Sequence, residues 1–97
     1  MSYNLIVTQE AIKEATDAYA FHKQIGQELA DRFDLTLDAS FKEITLTPTA
    51  YQIRKKNYRH LILRPFRYRM VYTIIGQDVV VFQIRHTSRR VSREFGP

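Results

Sequence analysis

The sequence predicts an α+β fold: an N-terminal strand, a helical hairpin, then a three-stranded antiparallel meander, with the helices packed on one face of the sheet. Three observations carry this reading. β-Branched and aromatic residues crowd residues 68–75 and 79–86 with no helix cap or breaker inside either run, which favours strands. Gly76-Gln77-Asp78 joins them, with a glycine where a tight hairpin needs positive φ. Before them, from Ala11 to Ile44, apolar residues recur every three or four positions, the period of a helix.

Taken in order, residues 3–8 form a short strand with Tyr3, Leu5 and Val7 on one face. Thr8 then caps a helix, and Glu10 sits in its first turn, where a negative charge complements the helix dipole. Ala11, Ala15, Ala18, His22 and Ile25 make its buried stripe, with Ile12 and Tyr19 beside them. Gly26 breaks the helix into a tight hairpin. A second helix follows, with Leu29, Phe33, Leu37, Phe41 and Ile44 as its seam, and it stops before Pro48.

Residues 51–57 read as a short extended piece whose Arg54-Lys55-Lys56 run is the densest basic cluster in the chain. Residues 58–63 are a strand that alternates Tyr58, His60 and Ile62 with Arg59, Leu61 and Leu63. Arg64-Pro65-Phe66-Arg67 turns it into the central strand. In the last strand, strict alternation puts Val80, Phe82, Ile84 and His86 on one face and Val79, Val81, Gln83 and Arg85 on the other.

Length and composition bound the function. Ninety-seven residues make one domain, 1–97, and six Phe and six Tyr supply a modest core. With no cysteine, disulfide and thiolate chemistry are excluded; His22, His60 and His86 show no ligand spacing, so neither metal nor cofactor is expected. No run is long enough to span a bilayer and no signal peptide is evident, so a cytoplasmic protein without a membrane partner is expected.

The net charge of +5 conceals an asymmetry. Residues 1–50 hold four Lys and Arg against eight Asp and Glu, whereas residues 51–97 hold eleven against two, a net of +9 in the second half. Such a half suits nucleic acid, a nucleoprotein machine or an acidic protein segment. The candidate binding cations are Arg54, Lys55, Lys56, Arg59, Arg64, Arg85, Arg89, Arg90 and Arg93. Arg69, in the central strand, either faces the open side of the sheet or pairs with a carboxylate such as Glu43. His86 either binds a target or hydrogen-bonds the sheet edge. Tyr58, Tyr68 and Tyr72 either stack bases or form cross-strand core pairs.

Phe66-Arg67-Tyr68-Arg69-Met70-Val71-Tyr72, the hairpin after it, Val79-Val80-Val81-Phe82 and Ile84-Arg85-His86-Thr87-Ser88-Arg89 together resemble the RelE/ParE toxin superfamily of bacterial type II toxin–antitoxin modules. The resemblance covers nearly the whole chain and is greatest to the ParE-like, plasmid-stabilisation subgroup. Arg67 stands where the family commonly has proline.

The resemblance implies one of two mechanisms. ParE-like members poison DNA gyrase by binding it. RelE-like members cut messenger RNA in the ribosome, and in that reading the site would be Arg69, His86, Arg89 and His60. Arg69 and Arg89 match the RelE-like arginines, but the paired lysines of that pattern fall near His60 and Ile62, and its tail tyrosine falls near Phe95. Arginine is a poor base, so the acid–base couple is missing unless the two histidines converge. A gyrase-binding toxin is therefore the favoured expectation, with a ribosome-dependent nuclease or a non-toxic binding module as alternatives. In either toxin reading the resemblance implies a cognate antitoxin with an acidic C-terminal segment.

Overall fold

The structure, a computed structural model, describes residues 3–88. Five strands form one sheet in the order β1-β5-β4-β3-β2, from β1 (Asn4–Val7), β2 (Ile53–Lys55), β3 (Tyr58–Leu63), β4 (Tyr68–Ile75) and β5 (Asp78–His86). Helices α1 (Gln9–Ile25) and α2 (Gln27–Leu46) form the hairpin, and a 3₁₀ turn at Pro48–Ala50 returns the chain to the sheet.

The predicted meander is present, and the sheet adds a strand at each side. The short extended piece pairs antiparallel with β3 as β2, and its turn puts Lys56 at a φ of 52°. At the other side β1 lies parallel to β5, from Asn4 against Asp78 to Val7 against Val81. Local sequence could propose β1 as a strand but not its neighbour, because the pairing spans most of the chain. Gly76 has a φ of +61°, so Gly76-Gln77 closes β4 to β5 with glycine at the first loop position, as expected.

Thr8 caps α1 as the sequence implies: its hydroxyl accepts the Ala11 N–H at 3.2 Å. The stripe of α1 is buried at Ala11, Ala18 and His22 but ends early, since Ile25 is 66% exposed beyond the sheet. Gly26 alone separates the helices; its φ of 177° is extended backbone that any residue adopts. Helix α2 buries Phe33, Leu37 and Ile44 from the predicted seam, with Ala30 and Ser40 alongside.

These stripes cover one face of the sheet, against Leu61, Leu63, Tyr68, Met70, Tyr72, Val79, Val81 and Ile84. At one end the core is aromatic: His22 stacks on Phe33 at 4.7 Å, and Phe66 meets both rings edge-on at 5.2 and 5.3 Å. His22 is a satisfied core residue, donating from Nδ1 to the Ala18 carbonyl at 2.7 Å. Burying each large apolar side chain here contributes roughly 1.5–3 kcal/mol. Among the described residues, no helix is long and apolar enough to cross a membrane.

Strict alternation fails in β5. Val71 pairs with Gln83 but Tyr72 pairs with Val81, so Phe82 is an extra residue, a β-bulge. The bulge moves the alternation by one: Val79, Val81, Ile84 and His86 share the helix face, and Phe82 and Gln83 both fall outside that series. The bulge sits where β1 ends, and there Thr8 donates its N–H to the Val81 carbonyl at 3.1 Å as α1 begins.

Candidate functional site

The two faces of the sheet now separate the candidate residues. Ile62, Arg69 and Arg85 lie side by side across β3, β4 and β5, and His60, Val71 and Gln83 form the next such row. Both rows lie on the face the helices leave uncovered. Arg69 is half-buried there, and no ion pair reaches it among the described residues; Glu43 lies on α2, behind the sheet, and its carboxylate is hydrogen-bonded to Tyr51. Of its two readings, Arg69 takes the open side.

His86 does not share that face. It pairs with Tyr68 on the helix side, and its ring meets the Tyr68 ring at 5.3 Å. Its Nδ1 accepts the Ser88 N–H at 3.1 Å, which puts the ring proton of a neutral imidazole on Nε2. His60 is buried on the opposite face, in register with Val71.

The tyrosines divide as well. Tyr68 and Tyr72 are core, whereas Tyr58 meets Phe82 edge-on at 5.5 Å on the uncovered face. Strict alternation hid this pair by assigning Phe82 to the side of Ile84. Phe82 lies on the face opposite Val79 and Val81, and the bulge turns Ile84 and His86 away from it; only tertiary pairing shows a bulge.

The basic residues fall into three groups. Arg54, Lys55 and Lys56 are exposed at the β2 edge and Arg64 at the β3–β4 loop, with no ion pair among the described residues. Arg59 and Arg85 have intramolecular partners. The Arg59 Nη1 donates to the Tyr51 carbonyl at 2.6 Å, tying the segment after α2 to the sheet. Arg85 reaches α1, pairing with Glu14 and, at 3.2 Å, with Glu10. Arg89, Arg90 and Arg93 lie outside the described residues. Arg67, exposed with a φ of 60°, adds a cation that the sequence reading passed over as a loop residue.

Glu14 was also not anticipated. Where β1 stops, the β5 edge would be left without a partner, and the Glu14 Oε1 accepts the Ile84 N–H at 3.0 Å. Its spacing from Ala11 and Ala18 was the only signal in the sequence that it faces the sheet.

Tyr72 and Tyr51 mark the other end of the core. The Tyr72 hydroxyl donates to the Pro48 carbonyl at 2.6 Å, and burial pushes its pKa up to about 12 against the opposing charge of Arg59. Tyr51 is raised to about 12 as well, by burial first and then by its hydrogen bond to Glu43. At neutral pH both act as hydrogen-bond donors and neither as a base.

Among the described residues, the uncovered face carries Arg69 without an ion pair and is bordered by exposed cations, and the two sheet histidines lie on opposite faces. Residues 5–91 match the family described as the ParE toxin of type II toxin–antitoxin system, parDE. The chain is similar to toxin ParE2 of Mycobacterium tuberculosis, 32% identical over 71 residues that cover 72% of this chain and 68% of that one. In structure it is similar to a chain of the chromosomal ParDE toxin–antitoxin system from P. aeruginosa, with a TM-score of 0.75 at 17% identity over 88% of this chain and 96% of that one. It is also similar to a chain of the intact E. coli RelBE toxin–antitoxin complex, with a TM-score of 0.63 at 22% identity over 91% and 100%. The chain belongs to the ParE toxin family of type II toxin–antitoxin systems, on the fold it shares with RelE.

Proposed function

We propose that this single-domain toxin acts inside the cell by binding DNA gyrase through the uncovered face of its sheet, and that a cognate antitoxin with an acidic segment neutralises it. The observation that carries this reading is the separation of the histidines: His60 and His86 lie on opposite faces of the sheet. Cleavage by 2′-hydroxyl attack needs a proton acceptor and a donor on one phosphate. Arg69 stabilises charge but remains protonated, so it supplies neither. What the face does offer suits docking: the Tyr58–Phe82 pair and partly buried Ile62 give apolar contact, and Arg69 with Arg54, Lys55 and Arg64 gives charge.

The antitoxin reading is supported by the ParDE and RelBE assemblies in which the similar folds occur, and by the +9 charge of the second half of the chain. A ribosome-dependent nuclease is the second reading, favoured by one observation: His60 and Arg69 share a face. Supercoiling by purified gyrase, assayed beside cleavage of ribosome-bound message, separates the two. Inhibited supercoiling with intact message is the expected outcome; cleaved message with normal supercoiling overturns the proposal.

A further inference from the structure

The two edges of the sheet differ in how well they resist a new strand. The β2 edge is three residues long, contains Arg54 and Lys55 and turns at Lys56, and short charged edges discourage pairing with another chain. The β1 edge has no such protection. Asn4-Leu5-Ile6-Val7 carries no charge, proline or bulge; Leu5 and Ile6 are 38% and 44% exposed, and no described strand lies outside it.

Its backbone is already oriented for pairing. Asn4 donates its N–H to the Gln77 carbonyl at 2.8 Å and Thr8 donates to Val81, so the even-numbered amides point toward β5. Backbone groups alternate along a strand, so those of Leu5 and Val7 point outward. The outward N–H of Tyr3 is already taken by the Thr45 carbonyl at 2.9 Å. Two donors and two acceptors are left along about 7 Å of edge.

From this geometry we infer that β1 pairs antiparallel with β1 of a second copy of this chain, joining two sheets through a two-fold axis at Ile6. Only outward-pointing groups form the bonded pairs. Leu5 therefore faces Val7 of the second copy and Val7 faces its Leu5, which closes four hydrogen bonds. Ile6 meets its own counterpart in the closely spaced, unbonded pair between them. Charge favours this occupant over a foreign acidic segment. A chain of net charge +5 repels its own copies over much of its surface, but residues 3–8 are uncharged and set no like charges together. An acidic segment finds no cation in this strand and finds several at the β2 edge. Leu46, 64% exposed beside Thr45, extends the apolar surface at the end of the same edge. The contact is small beside the roughly 1,200–2,000 Å² of stable interfaces, so the dimer dissociates on dilution.

The chain has no cysteine, so Ile6→Cys places a single thiol at the axis, where facing Cα atoms about 4.5 Å apart are within disulfide reach. Mild oxidation of the full chain should give a covalent dimer about tenfold faster than for Arg54→Cys at the other edge. Ile6→Lys, at an exposed position where the fold survives, should weaken dimerisation in sedimentation about tenfold; circular dichroism checks that fold. The inference is overturned if the wild type stays monomeric at every concentration, if the two cysteines cross-link equally fast, or if Ile6→Lys dimerises as well as the wild type. Protection of the Leu5 and Val7 amides from hydrogen exchange only when antitoxin is added assigns the edge to that partner and overturns it too.

Discussion

Tyr68 and His86 face each other across β4 and β5, their rings 5.3 Å apart and at 89°. Tyr68 also contacts His22 and Phe33, at 5.7 and 5.1 Å, so this pair fixes His86 to the helix side of the sheet. His60 is on the other side. His60→Gln and His86→Gln are each expected to leave gyrase inhibition within about threefold of wild type. Cleavage of ribosome-bound message that falls about 100-fold in either variant would instead indicate general acid–base catalysis. Supercoiling and message cleavage measured side by side, with melting temperatures to confirm folding, make the distinction.

Arg69 is half-buried on the uncovered face, with no ion pair among the described residues. Arg69→Ala should weaken inhibition about tenfold, or ~1.4 kcal/mol, and leave the melting temperature nearly unchanged. If Arg69 instead served the fold, the melting temperature would fall and inhibition would follow the folded fraction.

Glu14 and Arg85 are paired, yet removing them should cost different amounts. Glu14 also accepts the Ile84 N–H, so Glu14→Ala leaves both a backbone donor and a guanidinium without their partner and should cost about 2–3 kcal/mol. Arg85→Ala leaves Glu14 bound to Ile84 and should cost about 1 kcal/mol, because the side chain is 27% exposed and its pair is partly screened. Urea denaturation of the two variants tests the order.

Stability should fall in alkali. Tyr72 and Tyr51 are both raised from 10.0 to about 12 in the folded chain. Between those values the unfolded chain has released protons that the folded chain still holds, so rising pH favours unfolding. Their contribution is fully present below pH 10.0 and is lost as pH climbs toward 12. Tyr72→Phe should make this decline shallower, while costing about 1 kcal/mol at neutral pH through the lost hydrogen bond to Pro48.

The two glycines that punctuate the fold should respond differently to alanine. Gly76 has a φ of +61°, so Gly76→Ala should cost about 1 kcal/mol in the hairpin. Gly26 has an extended φ, and an added Cβ would meet nothing within 4 Å, so Gly26→Ala should be neutral within about 0.5 kcal/mol. Thermal denaturation of the pair measures the difference.

The local features were legible in the sequence because short-range chemistry causes them. Thr8 caps because its hydroxyl reaches an amide three residues on; the seam of Phe33, Leu37 and Ile44 follows from helical period; Gly76 turns the hairpin because it tolerates positive φ. The family resemblance, too, rested on runs of neighbouring residues. Only the tertiary structure decided what depends on distant pairing. Asn4 lies beside Asp78, which no local pattern announces. One extra residue at Phe82 moves every later side chain of β5 to the opposite face, because a strand has period two. That single insertion sends His86 to the core side, away from His60, and separates Ile84 from Phe82, which faces Tyr58. The residue types at the candidate site were therefore readable in one dimension, but their grouping by face was not.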